Sequence, residues 1–187
     1  MIIQLPTRHS VSSMQFAASG VSLRKPEARD TRALFDLLAD ERNQRFNAAG
    51  ALREFSAAEL LMARWQVQWA VHGFGVWVVE SLLEPGKVIG FGGLTLDASG
   101  QAARLTIRLA HDESVTDIVT TIAKASRAIA QSLPLTTVEA HIHAADAVTR
   151  SGLEQAGMGV ARQQADALTR VSKHVYVLSL RDDALAA

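Results

Sequence analysis

The chain has 187 residues, 48% of them apolar and 20% charged, which suits one globular domain able to bury a substantial core. Lys+Arg and Asp+Glu balance at 19 each, so no basic field points to nucleic acid and no polybasic run points to an anionic membrane. Absence of cysteine excludes disulfides, thiolate metal ligands and a cysteine nucleophile. No run reaches the roughly 20 apolar residues of a membrane span. The start, MIIQLPTRHSVSSMQF, lacks the charged and then apolar pattern of a secretory signal. A cytoplasmic protein with a small or local partner is the expectation.

Residues 1–20 carry no clear period and read as an extension or an edge piece, followed by a single domain over 21–187. Val21–Arg24 fits a first strand, leading through Pro26 into a helix over 27–39 with Leu34, Leu37 and Leu38 on one face and Glu27 and Asp30 near its positive end. Residues 42–52 are polar and irregular. Ser56 and Glu59 have capping-box spacing and open a helix to His72, along which Leu61, Trp65 and Trp69 form a stripe that reads as core.

The stretch HGFGVWVVESLLEPGKVIGFGGL, His72 to Leu94, predicts a hairpin of two strands, 76–80 and 88–94, with Gly73 ending the preceding helix. Gly90, Gly92 and Gly93 inside the second strand mark either a bent strand crowded by its neighbours or a surface that a ligand approaches. Residues 104–109, RLTIRL, alternate as a half-buried strand. An amphipathic helix follows over 115–132, capped by Ser114 with Asp117 three residues on. Thr137–His143 is the next strand, Asp146 caps a helix that Gly157 ends, and 173–180 is a closing strand. The order predicts a mixed α/β (α+β) sheet, mostly antiparallel, with helices on both faces. The apolar final strand, HVYVLSL, makes a homodimer through a sheet edge conceivable.

A helix ending in glycine-aromatic-glycine, then WVVE, a turn and GKVIGFGGL, resembles the middle of the GCN5-related N-acetyltransferases (GNAT family), especially the branch that acetylates ribosomal-protein N-termini. The segment DAVTRSGLEQAGM, Asp146 to Met158, is similar to a second family segment, with Leu153, Glu154, Gly157 and Met158 in place. The resemblance covers about residues 21–180. It implies an acyl-CoA-dependent N-acetyltransferase, with acetyl-CoA as cosubstrate and an amine of a small molecule or peptide as acceptor.

In such a protein a glycine-rich turn between strand and helix holds the pyrophosphate of acetyl-CoA on free backbone N–H groups. The matching residues are Leu109, Ala110, Ser114, Val115, Thr116 and Asp117, with Asp146 and Thr149 beside the cofactor arm. Val115 and Asp117 stand where the family has glycines, Asp112 and Glu113 add acids, and Asp146 replaces an asparagine. Hydroxyls of Thr120 and Thr121, and Lys124, are substitutes for the lost donors. Arg104 stands where the family often has glutamate, and the only tyrosine, Tyr176, is in the final strand rather than the last helix. These departures open an alternative, a catalytically inactive member of the fold that binds or interacts.

His111 and His143 are candidates for a general base, since imidazole titrates near physiological pH. His141 and His143 share one face of a strand with Asp146 beyond them, which is short of a metal site without a third ligand from elsewhere. No metal is expected. Arg8 and His9 stand too isolated to use.

Overall fold

The computed structural model describes residues 13–46, 50–113, 115–165 and 172–180. Eight strands form one sheet: β1 (Ser13–Phe16), β2 (Val21–Arg24), β3 (Val76–Ser81), β4 (Val88–Leu96), β5 (Ala102–Leu109), β6 (Thr137–His143), β7 (Gly159–Ala165) and β8 (Ser172–Ser179). Their order across the sheet is β1-β2-β3-β4-β5-β6-β8-β7. Every pairing is antiparallel except β5 with β6. Four α-helices accompany them, α1 (Thr31–Ala39), α2 (Phe55–His72), α3 (Thr116–Gln131) and α4 (Ala147–Gln155).

Strand alternation divides the core. On β3, Val76 and Val78 face Leu34 and Leu37 of α1 and Ala58, Met62 and Trp65 of α2. Trp77 and Val79 face the other way, into the cluster with Ile118, Val119 and Ile122 of α3 and Leu153 of α4. The mixed sheet with helices on both faces is therefore as the sequence reads. Trp65 and Trp69 are core: Trp65 packs on Phe91, and the Trp69 indole N–H donates to the Val76 carbonyl at 2.8 Å.

The glycines of β4 are filled by the protein itself. A Cβ on Gly92 would stand 2.8 Å from Ile122 of α3, and one on Gly90 would stand 2.6 Å from Leu109 of β5. Gly93, at φ 152°, leaves no room for a Cβ beside the Gly75 carbonyl and Val76. Of the two readings, the bent and crowded strand holds. Gly73 ends α2 in the left-handed conformation, φ 74°.

Several local expectations are corrected. α2 begins at Phe55 with Glu54 as its N-cap and no side-chain cap, so Ser56 lies inside the helix and the Ser56–Glu59 capping box does not form. α3 is entered at Val115, whose side chain offers no acceptor; Ser114, the expected cap, lies outside the described residues, as do Arg8 and His9. Ser13–Phe16 is a strand within the segment read as an extension or an edge piece, Gly159–Ala165 is a strand that the sequence reading lacks, and both are outermost in the sheet. An edge strand pairs on one side only and needs no continuous apolar face, so its hydrophobic period is weak. The final strand is not an edge: β8 lies between β6 and β7, which removes the basis for a dimer through it.

Candidate functional site

β5 and β6 pair over three residues only, ending at Arg104 opposite Glu139. β5 then runs on to Leu109 beside β4, and β6 runs on to His143 beside β8. The two strands part beyond that pair, so their facing edges carry backbone N–H and C=O groups that the other strand does not satisfy. A cleft of about 540 Å³ occupies the opening.

Ile107, Arg108 and Leu109 line it from β5, His141, Ile142 and His143 from β6, and Asp146, Val148 and Thr149 from the start of α4. Arg42, Asn43, Arg45 and Phe46 cover it from the connection between α1 and α2, a 3-10 turn at Glu41–Gln44 and the residues after it. Asn43 fixes that cover by accepting from the His111 N–H at 2.8 Å while its amide donates to the Leu37 carbonyl at 3.0 Å. Phe46 stacks on the His143 ring, centroids 5.1 Å apart.

Of the residues expected from sequence, Leu109, His111, His143, Asp146 and Thr149 meet in this cleft. Asp146 caps α4 as read, its carboxylate accepting from the Thr149 N–H at 3.0 Å. Val115, Thr116 and Asp117 do not line the cleft, and Ala110 sits beside it against the α1 and α2 core. Arg42, Arg45, Phe46, Arg108 and Lys173 are cleft residues that sequence reasoning missed. The available signal was the pair of arginines and the phenylalanine in an irregular segment between two amphipathic helices.

Ala110, His111, Glu113 and Val115 each donate their N–H to an acceptor within the protein. Ala110 N–H donates to the Ile89 carbonyl at 2.9 Å, His111 N–H to Asn43, Glu113 N–H to the Ala110 carbonyl at 3.0 Å and Val115 N–H to the Glu113 carbonyl at 3.0 Å. The Glu113 carboxylate turns away, held by Lys87 Nζ at 2.8 Å. At the start of α3, however, the first N–H groups have no intrahelical partner and the N-cap supplies none. Thr120 Oγ1 donates to the Thr116 carbonyl at 2.8 Å and Thr121 Oγ1 to Ser19 Oγ at 2.8 Å, so these hydroxyls serve the fold.

His143 Nδ1 accepts from the Ala145 N–H at 3.1 Å. The backbone N–H can only donate, so the neutral ring carries its proton on Nε2 and is a donor there. His141 Nε2 lies 3.0 Å from Glu139 Oε2. No group of three or more His, Asp or Glu side chains among the described residues is spaced to hold a metal ion. Tyr176 is fully buried, donates to Glu154 Oε1 at 2.8 Å and accepts from Arg150 Nε at 3.2 Å, away from the cleft. Burial pushes its phenol above the ordinary value, with Arg150 opposing.

The fold and site define an α/β protein with a cleft between two parted strands. The model of the acetyltransferase (GNAT) domain family matches residues 21–159, and the chain belongs to that family. No curated protein sequence matches it significantly. It is similar in structure to a spermidine N-acetyltransferase from Vibrio cholerae solved with CoA and spermine, at TM-score 0.70 and 14% identity, covering 87% of this chain and 96% of that one. It is similar also to yncA, a putative acetyltransferase from Salmonella typhimurium solved with acetyl-CoA, at 0.69 and 14%, covering 88% and 96%. RimL, a ribosomal L7/L12 α-N-protein acetyltransferase solved with CoA, matches at 0.70 and 9%, covering 86% and 94%. No helix among the described residues is long and apolar enough to cross a membrane.

Proposed function

We propose that this protein is an acetyl-CoA-dependent N-acetyltransferase acting on an amine of a small molecule or peptide in the cytoplasm. The observation that carries the reading is the parting of β5 from β6 beyond Arg104 and Glu139, in a chain that belongs to the family. The unpaired strand edges suit an arm with amide groups, which can add hydrogen bonds like a short extra strand. Asp146 and Thr149 stand beside that opening. The N–H groups at the start of α3 are the remaining donors for a pyrophosphate.

Bound acetyl-CoA supplies an acyl group activated as a thioester. The chain's own residues must accept the proton of the amine, donate to the oxygen that gains charge and protonate the leaving sulfur. His143 suits a donor role through Nε2–H, and its ring is held by Phe46 on its face and Ala145 at Nδ1. His111 lies across the cleft with its backbone fixed by Asn43 and is the proposed proton acceptor. The segment 42–46 covers the cleft on that side.

One observation favours a second reading, that of a catalytically inactive member of the fold. Four N–H groups of the phosphate loop already donate to protein acceptors. A panel assay separates the two: CoA release and acetylated product, followed by mass spectrometry with small amines and a peptide N-terminus. The acetyltransferase reading requires product that disappears in His143→Ala. Stabilisation by acetyl-CoA with no product from any amine would favour the inactive member.

A further inference from the structure

The chain is neutral overall, with 19 basic and 19 acidic residues, yet its cleft is not. Arg42, Arg45, Arg108 and Lys173 line it against one carboxylate, Asp146. Arg42 is taken up by Asp40, at 2.6 Å. His141 and Arg162 engage Glu139, at 3.0 and 3.8 Å. Arg45, Arg108 and Lys173 have no carboxylate in ion-pair distance among the described residues; Arg45 lies 5.1 Å over the Phe46 ring and Arg108 donates only to the Ile107 carbonyl. Asp146 acts on Arg108 at longer range while its Oδ1 accepts from Thr149.

These cations share one side of the sheet. On β5, Leu105 and Leu109 point into the core under α3, so Arg108 projects to the opposite face, that of α1 and α2. On β6, Val138 and Ala140 point into the same core, so His141 and His143 project with Arg108. Lys173 is the register partner of His143 and emerges beside it. The segment with Arg45 covers that face. The start of α3 lies on the other side, so a cofactor entering over α3 leaves this basic chamber for the acceptor.

Resting on the acetyl-transfer reading, we propose that the acceptor amine carries an anionic group, a carboxylate or a phosphate, held by Arg108, Lys173 and Arg45. Three cations with no carboxylate partner among the described residues, around a partly enclosed space, attract an anion strongly and repel a polyamine. The chamber therefore selects against the polycationic kind of acceptor that one structural neighbour carries.

The test uses the full chain with acetyl-CoA and four acceptors of matched length: an ω-amino acid, an aminoalkyl phosphate, the corresponding amino amide and the corresponding diamine. The two anionic amines are expected to exceed the amide and the diamine by about tenfold or more in kcat/KM, and comparing them identifies which anion is meant. Arg108→Gln and Lys173→Gln should each erase about tenfold of that preference through KM, with Arg45→Gln as an exposed variant in case either fails to fold, and Arg32→Gln as the control without effect. Salt at about 0.5 M should shrink the preference. Equal turnover of amide or diamine overturns the proposal and leaves acetyl transfer standing. If no amine turns over, acetyl transfer itself fails and calorimetric binding of the same four compounds decides. Binding of the anionic pair alone, lost in Arg108→Gln, supports the chamber's assignment; equal or absent binding overturns it.

Discussion

Lys87 Nζ stands 2.8 Å from Glu113 Oε1 and 2.7 Å from Glu84 Oε1, so the acid nearest the expected phosphate loop is drawn outward to the turn between β3 and β4. Glu113 and then Glu84 raise the Lys87 pKa above its ordinary value, and the ammonium stays charged throughout the working range. Lys87→Met is expected to leave the melting temperature nearly unchanged, because the pair is exposed. It should weaken acetyl-CoA binding about two- to fivefold by freeing a negative charge within a Debye length of the loop. Isothermal titration of the variant checks both the sign and its loss at high salt.

Asp117 occupies the second position of α3, where a carboxylate competes with a phosphate for the helix dipole. Asp117→Gly should cost about 1 kcal/mol of stability, from the lost dipole interaction and the flexibility of glycine. Acetyl-CoA binding should be unchanged or tighter. A large loss of affinity would mean that the aspartate itself is part of the site.

Arg24 grips Asp30 through two hydrogen bonds, 2.8 and 2.7 Å, and reaches Glu80 with Nε at 2.8 Å. Burial works to raise the Asp30 pKa, but the Arg24 guanidinium and then the Glu27 N–H outweigh it and hold it below the ordinary value. The ionised form is the stabilising one. Its contribution is complete above the unfolded value of about 3.9 and is lost as pH falls through the folded value. Asp30→Asn should cost about 3 kcal/mol at pH 7 by leaving a largely buried guanidinium underpaired, and the gap to the parent should narrow as pH falls below the ordinary carboxylate range and through the lowered folded value. Melting curves of both proteins across that range test it.

Tyr176→Phe should lower stability by about 1–2 kcal/mol through the lost hydrogen bonds to Glu154 and Arg150. Turnover should not change, because the phenol does not line the cleft. A fall in kcat without a change in melting temperature would place it in the chemistry instead.

Most of the fold was legible because its inner elements repeat clearly. Val76 to Val79 alternate between two cores, and Ile118, Val119 and Ile122 keep helical spacing. Gly73 and Asp146 punctuate as their conformational chemistry requires. The cap of α2 was misread because hydroxyl spacing is a local signal that the entering chain overrides at Glu54. Gly152 was overlooked as well: a Cβ there would stand 2.5 Å from Val119, so its absence lets α4 sit against α3. The site was half legible. Leu109, His111, His143, Asp146 and Thr149 converge, but Arg45, Arg108 and Lys173 come from three separate segments whose union only the parted sheet creates. Nor does any spacing in the sequence reveal that Ala145 fixes the His143 tautomer.

The most direct measurement is the melting temperature with and without acetyl-CoA. At about 100 times the dissociation constant, binding only to the folded chain adds roughly 2.7 kcal/mol, an upward shift of several degrees for a domain of this size. The account predicts that shift, diminished by a wedge-filling change such as Val148→Trp between α4 and the parted strands. No shift at millimolar acetyl-CoA would contradict it.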